Sequence, residues 1–68
     1  MEVILYSTGC DRCKVLEQIL LRNKVPFTII EGEEEIEKIG LKFAPVLKVD
    51  NSYLEFGAAV TWANKYRG

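Results

Sequence analysis

The fold of this chain is decided by residues 3–20, which read VILYSTGCDRCKVLEQIL. Four apolar residues at 3–6 are followed by a short polar loop, and Cys10 and Cys13 come next, two residues apart. Apolar side chains then recur at helical spacing from Val15 to Leu20. This order indicates a buried strand, a short loop and an amphipathic helix. Both cysteines therefore fall where the helix is expected to begin.

Cys10 and Cys13 are the only cysteines of the chain. A thiol at a helix N-terminus faces unpaired backbone N–H groups and the positive end of the helix dipole, which favour the thiolate. The thiolate is the form that attacks disulfides, and a second thiol nearby allows cycling between dithiol and disulfide. Cys10 is expected to be the more exposed and more acidic thiol, because Cys13 lies one turn inside on the apolar face.

The length and charge of the chain narrow the class of protein. A chain of 68 residues with 49% hydrophobic residues is expected to form one domain, 1–68. Its net charge of −1 gives no reason to expect nucleic acid or an anionic membrane as a partner. Neither a signal peptide nor an apolar run of roughly 20 residues is visible. We therefore expect a cytoplasmic monomer, in a compartment where a CxxC pair is more often catalytic or metal-binding than structural.

The remaining sequence predicts an α/β protein with the element order β-α-β-α-β-β-α. Strands are expected at 2–6, 27–31, 46–49 and 53–56, and helices at 11–23, 33–39 and 58–66. The strand-helix-strand start implies a parallel pair, and the hairpin around 50–52 adds antiparallel strands. The expected architecture is a four-stranded mixed sheet with helices on both faces.

Several side chains are assigned to the core by their spacing. The inner face of the first helix is expected to comprise Cys13, Val15, Leu16, Ile19 and Leu20, with Leu21 outside it. Core packing is the default for the aromatic residues Tyr6, Phe43, Phe56, Trp62 and Tyr66. The acidic run at 33–35 with Glu37 is interpreted as the solvated face of a short helix, and partner docking is the alternative.

This element order, with CxxC at the first strand-to-helix junction and Ala44-Pro45-Val46 before the third strand, resembles the thioredoxin fold. Within that fold the chain is similar to the glutaredoxins over nearly its whole length. The resemblance implies that Cys10 is the nucleophile and Cys13 the resolving cysteine. It further implies a cis-proline at Pro45, and binding of substrate or glutathione by Tyr6, Arg12, Ala44, Pro45 and Gly57.

The chain departs from glutaredoxins at positions that hold glutathione. Asp11-Arg12 stands where Pro-Tyr is usual between the cysteines, and Ser7-Thr8 replaces a loop lysine. Only Gly57, followed by Ala58-Ala59, stands where paired glycines and an acidic residue are usual. Dithiol chemistry is therefore better supported than glutathione as the reductant.

These features predict a small thiol–disulfide oxidoreductase that reduces disulfide-containing proteins. No bound cofactor is expected, and glutathione or a thioredoxin-type reductase would recharge it. No metal site is expected within one chain, because zinc takes about four ligands and the sequence has no histidine and no third cysteine. Two alternatives stay open: a redox-inactive binding module, and a zinc or iron–sulfur carrier whose metal joins two chains.

Overall fold

The computed structural model describes residues 2–66, which form seven elements in the order predicted from the sequence. Their bounds are β1 (Val3–Ser7), α1 (Asp11–Arg22), β2 (Thr28–Glu31), α2 (Glu33–Lys38), β3 (Val46–Val49), β4 (Ser52–Leu54) and α3 (Phe56–Lys65). No helix within 2–66 is long and apolar enough to cross a membrane.

The four strands form one open mixed sheet in the order β2-β1-β3-β4. The β1 strand pairs in parallel with β2 and antiparallel with β3, and β4 closes the hairpin with β3. Asp50, at φ +54°, makes the hairpin turn. The predicted four-stranded mixed sheet is therefore confirmed, with β1 at its centre.

Alternate residues of β1 contribute to two hydrophobic clusters. Val3 and Leu5 belong to the larger cluster, together with α1 and α3 residues Leu16, Leu20, Ala59 and Ala63. Tyr6, with Ile4 packed alongside, belongs to the smaller cluster, which contains Ile36 of α2. Because successive side chains of a strand point to opposite faces, α1 and α3 cover one face of the sheet and α2 covers the other.

The start of α3 differs from the expected one. Glu55 is the N-cap, with extended backbone, and its carbonyl accepts the Ala59 N–H group at 2.7 Å. Phe56 is therefore helical rather than the last residue of β4. Gly57 lies inside the first turn of α3 instead of ahead of it.

Two side chains expected in the core are exposed. Val15 is 47% exposed, because the buried stripe of α1 is narrow and consists of Cys13, Leu16 and Leu20. Phe43 is 42% exposed and lies in the loop between α2 and β3. Leu21 is 54% exposed, as its spacing predicts. The expected core positions of Val15 and Phe43 were wrong.

Candidate functional site

Cys10 is the N-cap residue of α1. Its backbone is extended, with φ −73° and ψ 168°, and its sulfur accepts the Cys13 N–H group at 3.3 Å. Gly9 precedes it at φ +80°, a conformation that favours glycine and turns the loop into the helix. The N-cap bond fixes the Cys10 sulfur at the start of the helix, where backbone N–H groups are otherwise unpaired.

The two thiols are free and face each other. Their sulfur atoms lie 2.7 Å apart. A disulfide bond is about 2.05 Å long, so a small side-chain movement brings the sulfurs to bonding distance. Cys10 is half-buried, whereas Cys13 is only 1% exposed. The expected difference in exposure between the two cysteines is confirmed.

Hydrogen-bond donors converge on the buried sulfur of Cys13. Burial raises the pKa of the Cys13 thiol, but hydrogen bonds from the Cys10 thiol, the Thr8 N–H group and the Ser7 hydroxyl outweigh it. The result is a pKa lowered from 9.0 to about 7. The expectation that Cys10 is the more acidic thiol stays a prediction.

Ser7 is a component of the site that the sequence analysis did not assign. It is the one buried polar residue within 2–66, at 4% exposure, and its Oγ accepts the Gly9 N–H group at 3.1 Å. With that acceptor position occupied, the hydroxyl hydrogen is available to the Cys13 sulfur. A polar residue at the end of an apolar strand, just before CxxC, was the available signal.

A groove of about 750 Å³ opens beside Cys10, and we call it the Cys10 groove. It lies between α2 and the loop that leads to β3. Its wall consists of Thr8, Cys10, Glu33, Ile36, Glu37, Gly40, Leu41, Lys42, Phe43 and Ala44. The exposed thiol is thus accessible from a cleft large enough for a ligand of several residues.

A second, smaller cavity of about 410 Å³ lies across the Phe43-Ala44 ridge, and we call it the Arg12 cavity. It is lined by Arg12, Phe43, Ala44, Pro45, Glu55, Phe56 and Gly57. The Arg12 guanidinium lies 5.8 Å from the centroid of the Phe56 ring, in a cation–π arrangement.

The residues assigned to the site from the sequence are therefore divided between three places. Cys10 and Ala44 share the Cys10 groove, while Arg12, Pro45 and Gly57 line the Arg12 cavity with Ala44. The Ala44–Pro45 peptide bond is cis, as the resemblance led us to expect. Tyr6 is 7% exposed in the smaller hydrophobic cluster and lines neither cavity.

The described residues offer no ready metal site. Within 2–66, no group of three or more histidine, cysteine, aspartate or glutamate side chains is arranged to hold a metal ion. The site itself contains two thiols, of which Cys10 is half-buried and Cys13 is buried.

Comparison of the chain with protein-family models, with curated proteins and with solved structures finds no match. The function is consequently inferred from the geometry of the dithiol and of the two cavities.

Proposed function

We propose that this protein is a small thiol–disulfide oxidoreductase with a thioredoxin-like fold, similar to the glutaredoxins. The observation that carries the proposal is the pairing of a groove-facing thiol, Cys10, with a buried thiol, Cys13, at 2.7 Å. If both thiols were inert core residues, both would be expected inside the core, and neither would be expected at a helix N-cap beside a cleft.

The first step takes place at Cys10. Its thiolate attacks one sulfur of a substrate disulfide, a new S–S bond forms, and the other substrate sulfur leaves as a thiolate that takes up a proton. The product is a mixed disulfide between Cys10 and the substrate. Cys13 is only 1% exposed, so a substrate disulfide reaches Cys10 and not Cys13 in this step.

The second step takes place at Cys13. Its thiolate attacks the Cys10 sulfur and displaces the remaining substrate sulfur, which is protonated on release. Two electrons and two protons have then passed to the substrate, and the protein holds a Cys10–Cys13 disulfide. Hydrogen bonds from the Thr8 N–H group and the Ser7 hydroxyl, which do not depend on the Cys10 thiol, favour the attacking thiolate of Cys13.

The charges around the site bear on the reductant that recharges the protein. Two cations, Arg12 and Lys42, line the two cavities, against three carboxylates, Glu33, Glu37 and Glu55. Glutathione is a net anion, so this balance disfavours it. We propose a dithiol of a thioredoxin-type reductase as the reductant, in the cytoplasm and without a bound cofactor.

Reduction of insulin by dithiothreitol is the direct test. The wild-type protein should accelerate precipitation of the reduced insulin chains, and Cys10→Ser should abolish the acceleration. Cys13→Ser is the matched control, because it removes one sulfur but leaves the nucleophile in place and should retain a slow reaction. A wild-type protein that gives no acceleration would contradict the proposal and favour a redox-inactive binding module.

A further inference from the structure

The Cys10 groove combines apolar and charged wall residues. Its apolar contribution comes from Ile36, Leu41, Phe43 and Ala44, and its charged contribution from Glu33, Glu37 and Lys42. The groove therefore carries a net charge of −1 around an apolar wall. Cys10 is itself part of this wall, so a substrate sulfur bonded to Cys10 lies beside the groove.

Neither of the two groove carboxylates is in an ion pair with another side chain of residues 2–66, although Lys42 lines the same groove. Glu33 and Glu37 lie four residues apart on α2, so they share one helix face, and both are exposed. The ion pairs found within 2–66 are Lys38–Glu35 and Lys48–Glu2, which leave both groove carboxylates available to a partner.

We propose that Glu33 and Glu37 are specificity determinants that select protein disulfides flanked by lysine or arginine. This proposal rests on the proposed oxidoreductase function and names its substrate class. Residues next to the substrate cysteine pass through the groove while the mixed disulfide exists. Positive side chains there meet the carboxylates within the roughly 10 Å over which charges act at 0.1 M salt.

The wall residue Phe43 adds to the same preference. Its ring is 42% exposed and borders the groove. An exposed aromatic face accepts lysine and arginine in cation–π contacts, and it also contacts the methylene groups of these side chains. Acidic side chains gain no cation–π contact with the ring.

The test compares three short peptides that contain the same internal disulfide. The peptides differ only in the residues that flank both cysteines, which are lysine in the first peptide, glutamate in the second and glutamine in the third. The reduced full-length protein is mixed in excess with each peptide, and the single-turnover rate is followed by acid quench and chromatography. One exposed ion pair changes a rate by up to about fivefold, so two carboxylates should favour the lysine peptide over the glutamate peptide by about tenfold at low salt.

The rate ratio is the quantity to compare among variants. A change in the general reactivity of Cys10 in a variant affects all three peptides equally and cancels in the ratio. The double variant Glu33→Gln/Glu37→Gln should bring the ratio close to one. The matched control Glu31→Gln/Glu34→Gln removes the same charge from exposed residues outside the groove wall and should keep most of the preference.

The other possible results distinguish failure of the specificity proposal from failure of the proposed function. Ready reduction of all three peptides at equal rates would overturn the specificity proposal and leave the oxidoreductase function intact. A ratio that falls as much in the control variant as in the groove variant would assign the preference to overall charge, and would also overturn it. Reduction of no peptide would reject the proposed function and the specificity proposal together.

Discussion

Replacing Ser7 by alanine is expected to raise the pKa of the Cys13 thiol in the reduced protein. The lowering from 9.0 to about 7 corresponds to about 3 kcal/mol in favour of the thiolate. Four hydrogen bonds lower this pKa together, while burial raises it. They come from the Cys10 side chain, the Thr8 backbone, the Ser7 side chain and the Cys10 backbone. Losing the Ser7 hydroxyl alone should therefore raise the pKa by about half to one pH unit.

The ultraviolet absorbance of the thiolate, recorded over pH in the fully reduced protein, measures this pKa directly. Thr8→Ala is the matched control, because the donor at position 8 is the backbone N–H group and survives the substitution. Circular dichroism checks that Ser7→Ala remains folded, since the Gly9 N–H group loses its acceptor. An unchanged first titration in Ser7→Ala, or an equal increase in Thr8→Ala, would refute the assigned role of the hydroxyl.

Three further predictions concern the same dithiol and the core beneath it. Cys13→Ser should accumulate a stable mixed disulfide at Cys10 with a substrate protein, detectable as an adduct by intact-mass spectrometry, whereas the wild type should resolve it. Because the pKa of Cys13 is lower in the folded state, its thiolate stabilises the reduced protein fully above pH 9 and progressively less as pH falls towards 7. Urea unfolding of wild type relative to Cys13→Ser should show a gain of about 2 kcal/mol between pH 7 and pH 9, and parallel curves would contradict it. Leu16→Ala, at a fully buried position, should cost about 2–5 kcal/mol, while Val15→Ala, at a 47% exposed one, should change the free energy of unfolding by less than about 0.5 kcal/mol.

The sheet and the positions of the cysteines could be predicted from the sequence, because local sequence patterns determine them. The apolar run at 3–6 requires cover on both faces, and β1 is buried accordingly. The start of α1 was predicted at Asp11, where the structure has it, because residues 13, 16 and 20 recur at helical spacing. The boundary between β4 and α3 was placed two residues late, since Glu55 caps the helix through its backbone and provides no side-chain signal.

Features that depend on contacts between distant parts of the chain could not be predicted from local sequence patterns. Nothing in the local pattern indicates that the Ser7 hydroxyl reaches the sulfur six residues later, or that several donors converge on Cys13. Phe43 has the composition of a core residue, yet its loop carries it to the ridge between the two cavities. The acidic run of α2 could be read from the sequence, but only the fold shows that Glu33 and Glu37 face the groove while Glu34 does not.

The outer strands of the sheet limit pairing between copies of the protein. Its outer strands, β2 and β4, are only four and three residues long, so each edge offers few free backbone groups for pairing with another copy. Pro26 precedes β2 and lacks an N–H group that could extend that edge, and Glu31 places a charge at its other end. The Cys10 thiol at the start of α1 is thus accompanied by a sheet whose edges resist strand-to-strand aggregation.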